Sequence, residues 1–599
     1  MNQMPTRRSA TDLDWDRVRR WGIYAGLTMA FLSSIGMVES LDKRLIVDPI
    51  LSLGFLALLW VPVAFGYAAT YEEAKEGMAA PEKGERDLIG GLAAGLIGGL
   101  FFVAFIAIAD AVDLRGVFPR IGPALIDLLT FGRGTAVGGL LWLMISGLLG
   151  MFGGLLHVLP VRVRRAVTNA LTAVFLVALV EIAVVDIFES LRLTVISDWI
   201  YAKNGGVTIA GAIVVGALAA LSSVRSEGDA VVRFRTRYAT MEGDERKRFN
   251  LIAGAVGLVL AVVLPMVLGG LTNELLANVG LFLLMALGLN LVVGYAGLLD
   301  LGYVAFFAVG AYTTAILTSP LSPKWTPMLT LDFFSIEGWV VMVVVVAVAA
   351  LSGLVVGTPV IRLRGDYLAI VTLGFGEIVR ILFLSDWLAP AFGGAQGIRN
   401  IPAAVAGPAE INGTKPQTIF YLVVIFVGIA VYVAWRLYHS RIGRAWAALR
   451  EDEDVAEAMG VETTKMKLLA FITGAILASF GGMIFAVKVG SVFPSSFKLI
   501  VSIIVLVIVI VGGMGSIPGV VVGSLVLIGI LGGPTQPGLL AEFGEFKLLI
   551  YGALLVFMML RRPEGLWPSV QRQRELHQEE ILQDAWLKAE AAADSAGER

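Results

Sequence analysis

Continuous apolar runs, each close to the length of a bilayer, recur along the chain from Trp21 almost to Leu560. A helix needs roughly 20 mostly apolar residues to cross the hydrocarbon. The runs are unbroken rather than alternating, which selects helices over a barrel, since backbone polar groups in lipid must be satisfied within their own segment. In the N-terminal part the predicted spans are Trp21–Met37, Leu45–Ala69, Leu88–Ile108, Gly134–Leu156, Thr168–Phe188 and Val207–Ser223. A charged stretch follows, holding Arg233, Arg235, Arg237, Arg246, Lys247 and Arg248. Downstream, spans are predicted at Leu251–Gly270, Ala277–Tyr295, Leu301–Thr318, Trp339–Val360, Tyr367–Leu384, Thr418–Leu437, Leu468–Val487, Leu499–Gly513, Gly515–Leu531 and Phe546–Leu560. The pair around Gly513 is also compatible with a re-entrant or broken segment.

This pattern predicts an all-α, polytopic transmembrane bundle in four parts. Residues 1–224 form a membrane domain of about six helices, 225–250 a basic linker, 251–565 a second membrane domain, and 566–599 a polar tail with Leu582, Trp586 and Leu587 at helical spacing. Composition agrees: 57% hydrophobic residues, 16% charged and a mean hydropathy of +0.82 exclude a soluble protein. The 69 glycines suit close helix–helix approach in lipid. Cysteine is absent, which removes disulfides, thiolate metal sites and a thiol nucleophile. His157, His439 and His577 lie far apart and read as loop or loop-edge side chains rather than ligands.

Basic residues set the orientation. The first run follows Arg7, Arg8, Arg17, Arg19 and Arg20 without a small-x-small cleavage signature, and reads as a retained span. With that end inside, sixteen alternating spans place the 225–250 linker, the Arg441/Arg444/Arg450 loop and Arg561/Arg562 inside, with both termini cytoplasmic. Arg115, Arg120, Arg133 and Lys324 run against the pattern.

The sequence contains no G-x-S-x-G, H-E-x-x-H or G-x-x-x-x-G-K-[ST] motif, so no enzymatic role, metal or cofactor is expected, and any ATPase belongs to another chain. Three features carry candidate chemistry. The polar insertion Ser440–Lys467 reads SRIGRAWAALREDEDVAEAMGVETTKMK, a short helix with small residues on one side, charges on the other and a stop at Gly460, suited to docking in a partner's groove. Glycine-dense segments follow: Gly515, Gly519 and Gly523 at four-residue spacing, the 288–312 stretch with Asn290 and Asp300, and Gly393, Gly394 and Gly397 around Gln396. Glu181, Asp186, Asp300 and Glu377 are ionisable groups at membrane depth, with structural pairing the competing explanation for each; Arg380 at i+3 offers Glu377 a partner.

Together, GLNLVVGYAGLLDLGYVAFFAVGAY at 288–312, RLRGDYLAIVTLGFGEIVR at 362–380, GGAQGI at 393–398, SRIGRAWAALREDEDVAEAMGV at 440–461 and GGMGSIPGVVVG at 512–523 resemble the branched-chain amino-acid ABC permease family, LivM-like branch. The resemblance covers residues 251–565. It implies an inner-membrane subunit without enzymatic activity, paired with a LivH-like permease, two cytoplasmic ATPases and an extracytoplasmic binding protein, moving branched-chain amino acids or related small polar solutes. It implies a coupling helix at 450–460 in which Glu453, Ala456 and Gly460 take the positions of that loop's Glu, Ala and Gly. Asn290, Asp300, Glu377, Gly394, Gln396 and Gly397 are the candidates for the translocation path. Residues 1–224 carry none of the family's motifs. An ion- or proton-coupled secondary transporter, with Glu377 and Asp300 carrying the coupling, is the alternative.

Overall fold

The computed structural model describes residues 13–70, 85–225, 262–321, 328–360 and 365–569 except 535 and 537, with isolated positions at 245, 248, 249, 252, 257, 259 and 363. Most of the linker, much of the expected span Leu251–Gly270 and the tail from 570 lie outside the described residues. The chain divides into two compact units, Met1–Asn250 and Leu251–Arg599.

The first unit is built from α1 (Trp15–Ser34), α2 (Met37–Asp42), α3 (Leu53–Thr70), α4 (Glu85–Ala111), α5 (Pro123–Leu129), α6 (Thr135–Val158), α7 (Val161–Leu179), α8 (Glu181–Ser190), α9 (Thr194–Ile200) and α10 (Ile209–Arg225). Helices α3, α4 and α6 touch backbone to backbone. A Cβ on Gly91 or Gly95 would land on the Gly150 or Ser146 carbonyl of α6, and one on Gly153 on the Val63 carbonyl of α3. Small residues one turn apart permit that approach, and van der Waals contact between helices then replaces the hydrophobic drive that lipid does not supply. Trp142 is fully buried among Phe55, Phe102 and Phe131, and its Nε1 donates to Leu129 O at 2.7 Å.

Two expectations change here. The second run begins with a hairpin, β1 (Leu45–Asp48) against β2 (Leu51–Ser52), and β1 also pairs in parallel with β3 (Val207–Thr208); helix starts only at Leu53. The expected span Thr168–Phe188 is bent by 62° between α7 and α8. A bend strands carbonyls, and distant side chains collect them: Arg44 Nη2 donates to Ala178 O at 3.2 Å and Leu179 O at 2.9 Å, and Tyr201 Oη to Val177 O at 3.0 Å. Glu181, a membrane-depth candidate, accepts from Gly206 N at 2.9 Å and so serves the same junction. His157, expected near a loop, is buried in α6, stacked on Tyr67 with Nε2 3.0 Å from its carbonyl.

The second unit is organised around α11 (Gly270–Leu289), which continues as a π-helical turn at Asn290–Tyr295 and is buried on nearly every side. Around it lie α12 (Val304–Thr318), α13 (Ile336–Val360), α14 (Asp366–Leu384), α15 (Pro416–Tyr438), α16 (Arg441–Glu451), α17 (Glu453–Ala458), α18 (Thr463–Val489), α19 (Leu499–Gly512), α20 (Ile517–Ser524) and α21 (Lys547–Arg561). Tyr303 Oη donates to Gly474 O at 2.8 Å, and Gly310 of α12 lies on the Ser479 backbone of α18. Short antiparallel pairs, β4 (Ile398–Arg399) with β7 (Ser491–Val492) and β5 (Ala404–Ala406) with β6 (Ala409–Ile411), close one end.

Among the described residues nine helices are long and apolar enough to cross a membrane, or ten if the bent pair is one span, against sixteen expected. Most of the expected span Leu251–Gly270 lies outside the described residues; for the others the difference is length and charge, since Ile209–Ser222, Val304–Thr318 and Ile517–Leu531 are shorter apolar helices, α21 has 15 residues, and α1 opens with Arg17, Arg19 and Arg20. The Gly513 region is a break rather than a span end alone, since Gly513 (φ +127) and Gly515 (φ +77) turn the chain back. Gly515 therefore precedes the helix, and only Gly519 and Gly523 of the expected stripe pack along α20, against Gly512 and Ile508 of α19.

Removal of the Arg44 guanidinium is the sharpest test of the α7–α8 junction. Arg44→Met should leave the Ala178 and Leu179 carbonyls without their charged donor, a loss of about 1.5–3 kcal/mol for hydrogen bonds to a charged group. Faster hydrogen–deuterium exchange confined to residues 176–184 and 200–208 is the expected readout. Unchanged exchange there would show that the bend does not depend on Arg44.

Candidate functional site

The polar insertion after α15 folds as two helices, not one. Ser440 caps α16 by accepting from Ile442 N and Gly443 N, and Gly443 lies on the Leu437 and Tyr438 carbonyls, so the chain reverses sharply out of α15. Trp446 is fully buried and its Nε1 donates to Met466 O at 2.9 Å, which fixes α16 against the start of α18. Asp452 breaks the helix and caps α17, accepting from Asp454 N and Val455 N. Gly460 ends α17 in the left-handed region at φ +88; its N–H bonds Glu457 O and the Val461 N–H bonds Ala456 O, a Schellman closure that needs glycine at this position.

These contacts redistribute the expected coupling residues. Ala456 is buried against its own chain. Glu453 is not on an exposed charged face: its Oε1 is 2.6 Å from Nζ of Lys467, with side-chain exposures of 20% and 3%. Gly460 is open, with nothing within 4 Å of a built Cβ. The outward face instead carries Val455 and Met459, 57% and 80% exposed. Sequence reading passed over this pair, although an apolar i,i+4 couple on an otherwise charged short helix was its available signal.

The insertion is tied to the helix breaks. Arg450 Nη1 donates to Gly294 O at 2.7 Å in the π-helical turn, and Asn290 Oδ1 in the same turn accepts from Gly515 N at 2.8 Å. Asn290, expected on the path, thus joins α11 to the 513–516 turn. Asp300 is 1% exposed; its Oδ1 accepts from Gly302 N at 2.9 Å, while Oδ2 has no partner among the described residues. Glu377 takes Arg380 Nε on both oxygens, at 2.9 and 3.0 Å, as the i+3 spacing anticipates. Gly394 and Gly397 hold a turn at positive φ beside β4, and exposed Gln396 bonds Arg399. Each of these six path candidates thus has contacts of its own, near in sequence for Asp300, Glu377 and Gln396 and distant for Asn290.

One cavity at the opposite end of α18 gathers other residues. It measures about 530 Å³ and is lined by Glu274, Asn412, Lys488 and Gln536, with Ile401 and Phe485 among its apolar walls. Lys488 Nζ bonds Asn278 Oδ1 and lies 3.8 Å from Glu274 Oε1. An isolated lysine ending an apolar span was the signal in the sequence. Among the described residues no group of three or more His, Cys, Asp or Glu side chains is arranged to hold a metal ion.

Comparison with known proteins places this architecture. Residues 271–559 match the family described as the permease component of the branched-chain amino acid transport system. The chain is 38% identical over 340 residues to LivM, the high-affinity branched-chain amino acid transport system permease protein of Escherichia coli K12, covering 53% of this chain and 75% of the relative. It is 26% identical over 336 residues to the probable branched-chain amino acid transport permease protein LivM of Methanocaldococcus jannaschii, covering 50% and 94%. It is also 24% identical over 303 residues to LivH of Escherichia coli K12, covering 48% and 90%. No solved structure matches. Both the identity and the coverage of the Escherichia coli LivM relative establish that this multi-pass membrane protein belongs to the branched-chain amino acid transport permease family, in its LivM-like branch.

Proposed function

We propose that the chain is a membrane permease subunit of an ABC importer, which forms with a LivH-like permease the path for branched-chain amino acids or related small polar solutes. Two separate cytoplasmic ATPases would power it and an extracytoplasmic binding protein would deliver the solute. The observation that carries this reading is the 441–459 element: two short helices, the second with an outward apolar pair, anchored by Trp446 and Lys467 and bonded through Arg450 to the π-helical turn of the central helix. Such an element receives a push on Val455 and Met459 and passes it to α11 and α18. Glu453 and Ala456 shape that helix from within, and Gly460 ends it at the contact face. Asn290, Asp300, Glu377, Gly394, Gln396 and Gly397 remain candidates for elements that move along the path. The coupled secondary transporter has less support, because Glu377 is held on both oxygens by Arg380.

The positive-inside pattern supports cytoplasmic termini, with α16 and α17 cytoplasmic and the β5–β6 turn outside. Residues 1–224 are proposed as a separable membrane domain joined by the 225–250 linker to the permease domain 251–565. The chain has no enzymatic activity of its own in this reading.

Met459→Asp should place a carboxylate in the apolar contact and lower ATPase co-purification by roughly tenfold or more, with membrane abundance unchanged, since the side chain is solvated in the free chain. Co-purification at the wild-type level would remove α17 as the docking element. Glu453→Ala should behave differently: it deprives a buried ammonium of its carboxylate at a cost on the order of 3 kcal/mol, the low end for such pairs because Glu453 still reaches water. Reduced abundance is expected to accompany the reduced uptake, whereas normal abundance would show that Lys467 is satisfied without it.

Because the sequence has no cysteine, topology can be read from single substitutions. Glu410→Cys should react with a membrane-impermeant maleimide in intact cells and Glu457→Cys only after permeabilisation. The reverse pattern would invert the orientation.

A further inference from the structure

The cavity at the end of α18 carries a combination of groups that the permease reading does not by itself require. Lys488 sits in the last turn of α18, where the helix dipole favours a cation, and Glu274 lies just past the first turn of α11. The two meet at 3.8 Å, with Lys488 only 11% exposed and Glu274 52% exposed. An ammonium has three protons to donate. Asn278 Oδ1 takes one and Glu274 draws another, which leaves at least one without an acceptor among the described residues. An unsatisfied buried donor is costly, so the open proton of Lys488 beside the half-exposed carboxylate of Glu274 calls for a ligand that supplies both complements.

The remaining walls narrow its chemistry. Ile401 and Phe485 are buried apolar residues beside these polar groups, and the volume of about 530 Å³ falls within the usual range of small-molecule sites. The walls are also fixed: Ile401 N bonds Gly490 O at 3.0 Å, and β4 pairs with β7 immediately after Lys488. A carboxylate acceptor, an ammonium donor and a compact aliphatic group describe one class of molecule.

We infer that the Lys488–Glu274 cavity binds an aliphatic α-amino acid as its zwitterion, with the carboxylate on Lys488, the ammonium on Glu274, and the side chain against Ile401 and Phe485. The site is an acceptor at the mouth of the permease, at the end of the bundle opposite α17. This rests on the permease reading above.

The test is equilibrium binding of radiolabelled L-leucine to the purified full-length chain in lipid nanodiscs. 4-Methylpentanoate and isoamylamine, each lacking one of the two charges, serve as competitors. Saturable leucine binding is expected, competed far better by unlabelled leucine than by either analogue. Lys488→Met and Glu274→Gln should each weaken leucine binding by roughly tenfold or more, as loss of one member of a desolvated charged contact does. Replacing both, Lys488→Glu with Glu274→Lys, restores an ion pair between the two helix ends but reverses the order of charges. Leucine binding should stay lost in that variant although the protein remains stable. Absence of saturable binding to the unaltered chain, unchanged affinity in either single variant, or recovery of binding in the reversed pair would overturn the site; the last would identify a brace between helices instead. Uptake by cells separates this from the permease reading. If deleting the chain abolishes ATP-dependent leucine uptake but the single variants keep a wild-type KM, the cavity fails and the permease stands. If deletion leaves uptake of branched-chain amino acids and of related small polar solutes intact, the permease reading itself fails.

Discussion

A helix that breaks inside an apolar bundle strands carbonyl and amide groups where no water can reach them, and each must find a partner elsewhere in the chain. Every break described here is met in this way. At the α7–α8 bend Arg44 and Tyr201 take the carbonyls of residues 177–179. At the π-helical turn of α11, Arg450 takes Gly294 O. In the segment after α20, Tyr551 Oη donates to Leu527 O and Gly532 O at 3.2 and 2.5 Å. At the end of α19 the Leu566 and Trp567 amides take Val511 O and Gly512 O at 2.8 and 3.0 Å. Breaks allow bundle helices to change direction, and these caps make the breaks affordable without lipid contact.

The same caps connect regions that the sequence keeps apart. Arg450 and Asn290 tie the cytoplasm-facing insertion, in the proposed orientation, to the central helix and to the 513–516 turn. Displacing α16 therefore strains the π-helical turn of α11, because the guanidinium cannot leave Gly294 without orphaning a buried carbonyl. Helix α18 supplies a second, stiffer connection. It begins beside the Lys467–Glu453 pair and ends at Lys488, a span of roughly 30 Å at 1.5 Å per residue. Its glycine contacts with α12 keep it in rigid register with its neighbour. The two ends of one helix thus lie beside the contact face proposed for a force-generating partner and the cavity inferred for the solute.

The first unit shows the same physics without the family's motifs. Its α4–α6 crossing depends on Gly91, Gly95 and Gly150 in the way the second unit depends on Gly310 and Gly474, and Trp142 provides an aromatic centre with its indole N–H satisfied. Both units are therefore bundles stabilised by backbone proximity and by side chains that take up the polar groups freed at their helix breaks.

The sequence alone was enough to determine class, approximate spans and family, because apolar run length is a local property fixed by bilayer thickness and the motifs are contiguous strings. The Glu377–Arg380 pair was legible for the same reason, since three residues along a helix return to one face. The position of each helix break and the identity of its cap were decided only by tertiary structure. Arg44 reaches a carbonyl 134 residues away, Arg450 one 156 away and Asn290 an amide 225 away, and no local pattern encodes such partners. Glu453 was expected to face outward because it stands among charges, yet Lys467, fourteen positions on, draws it inward. Glu274 and Lys488 lie at the ends of two helices whose adjacency the sequence does not state, so their cavity became visible only when α11 and α18 were packed together. Local physics fixes which segments enter the membrane; pairing of what those segments leave unsatisfied fixes where they stop and what they touch.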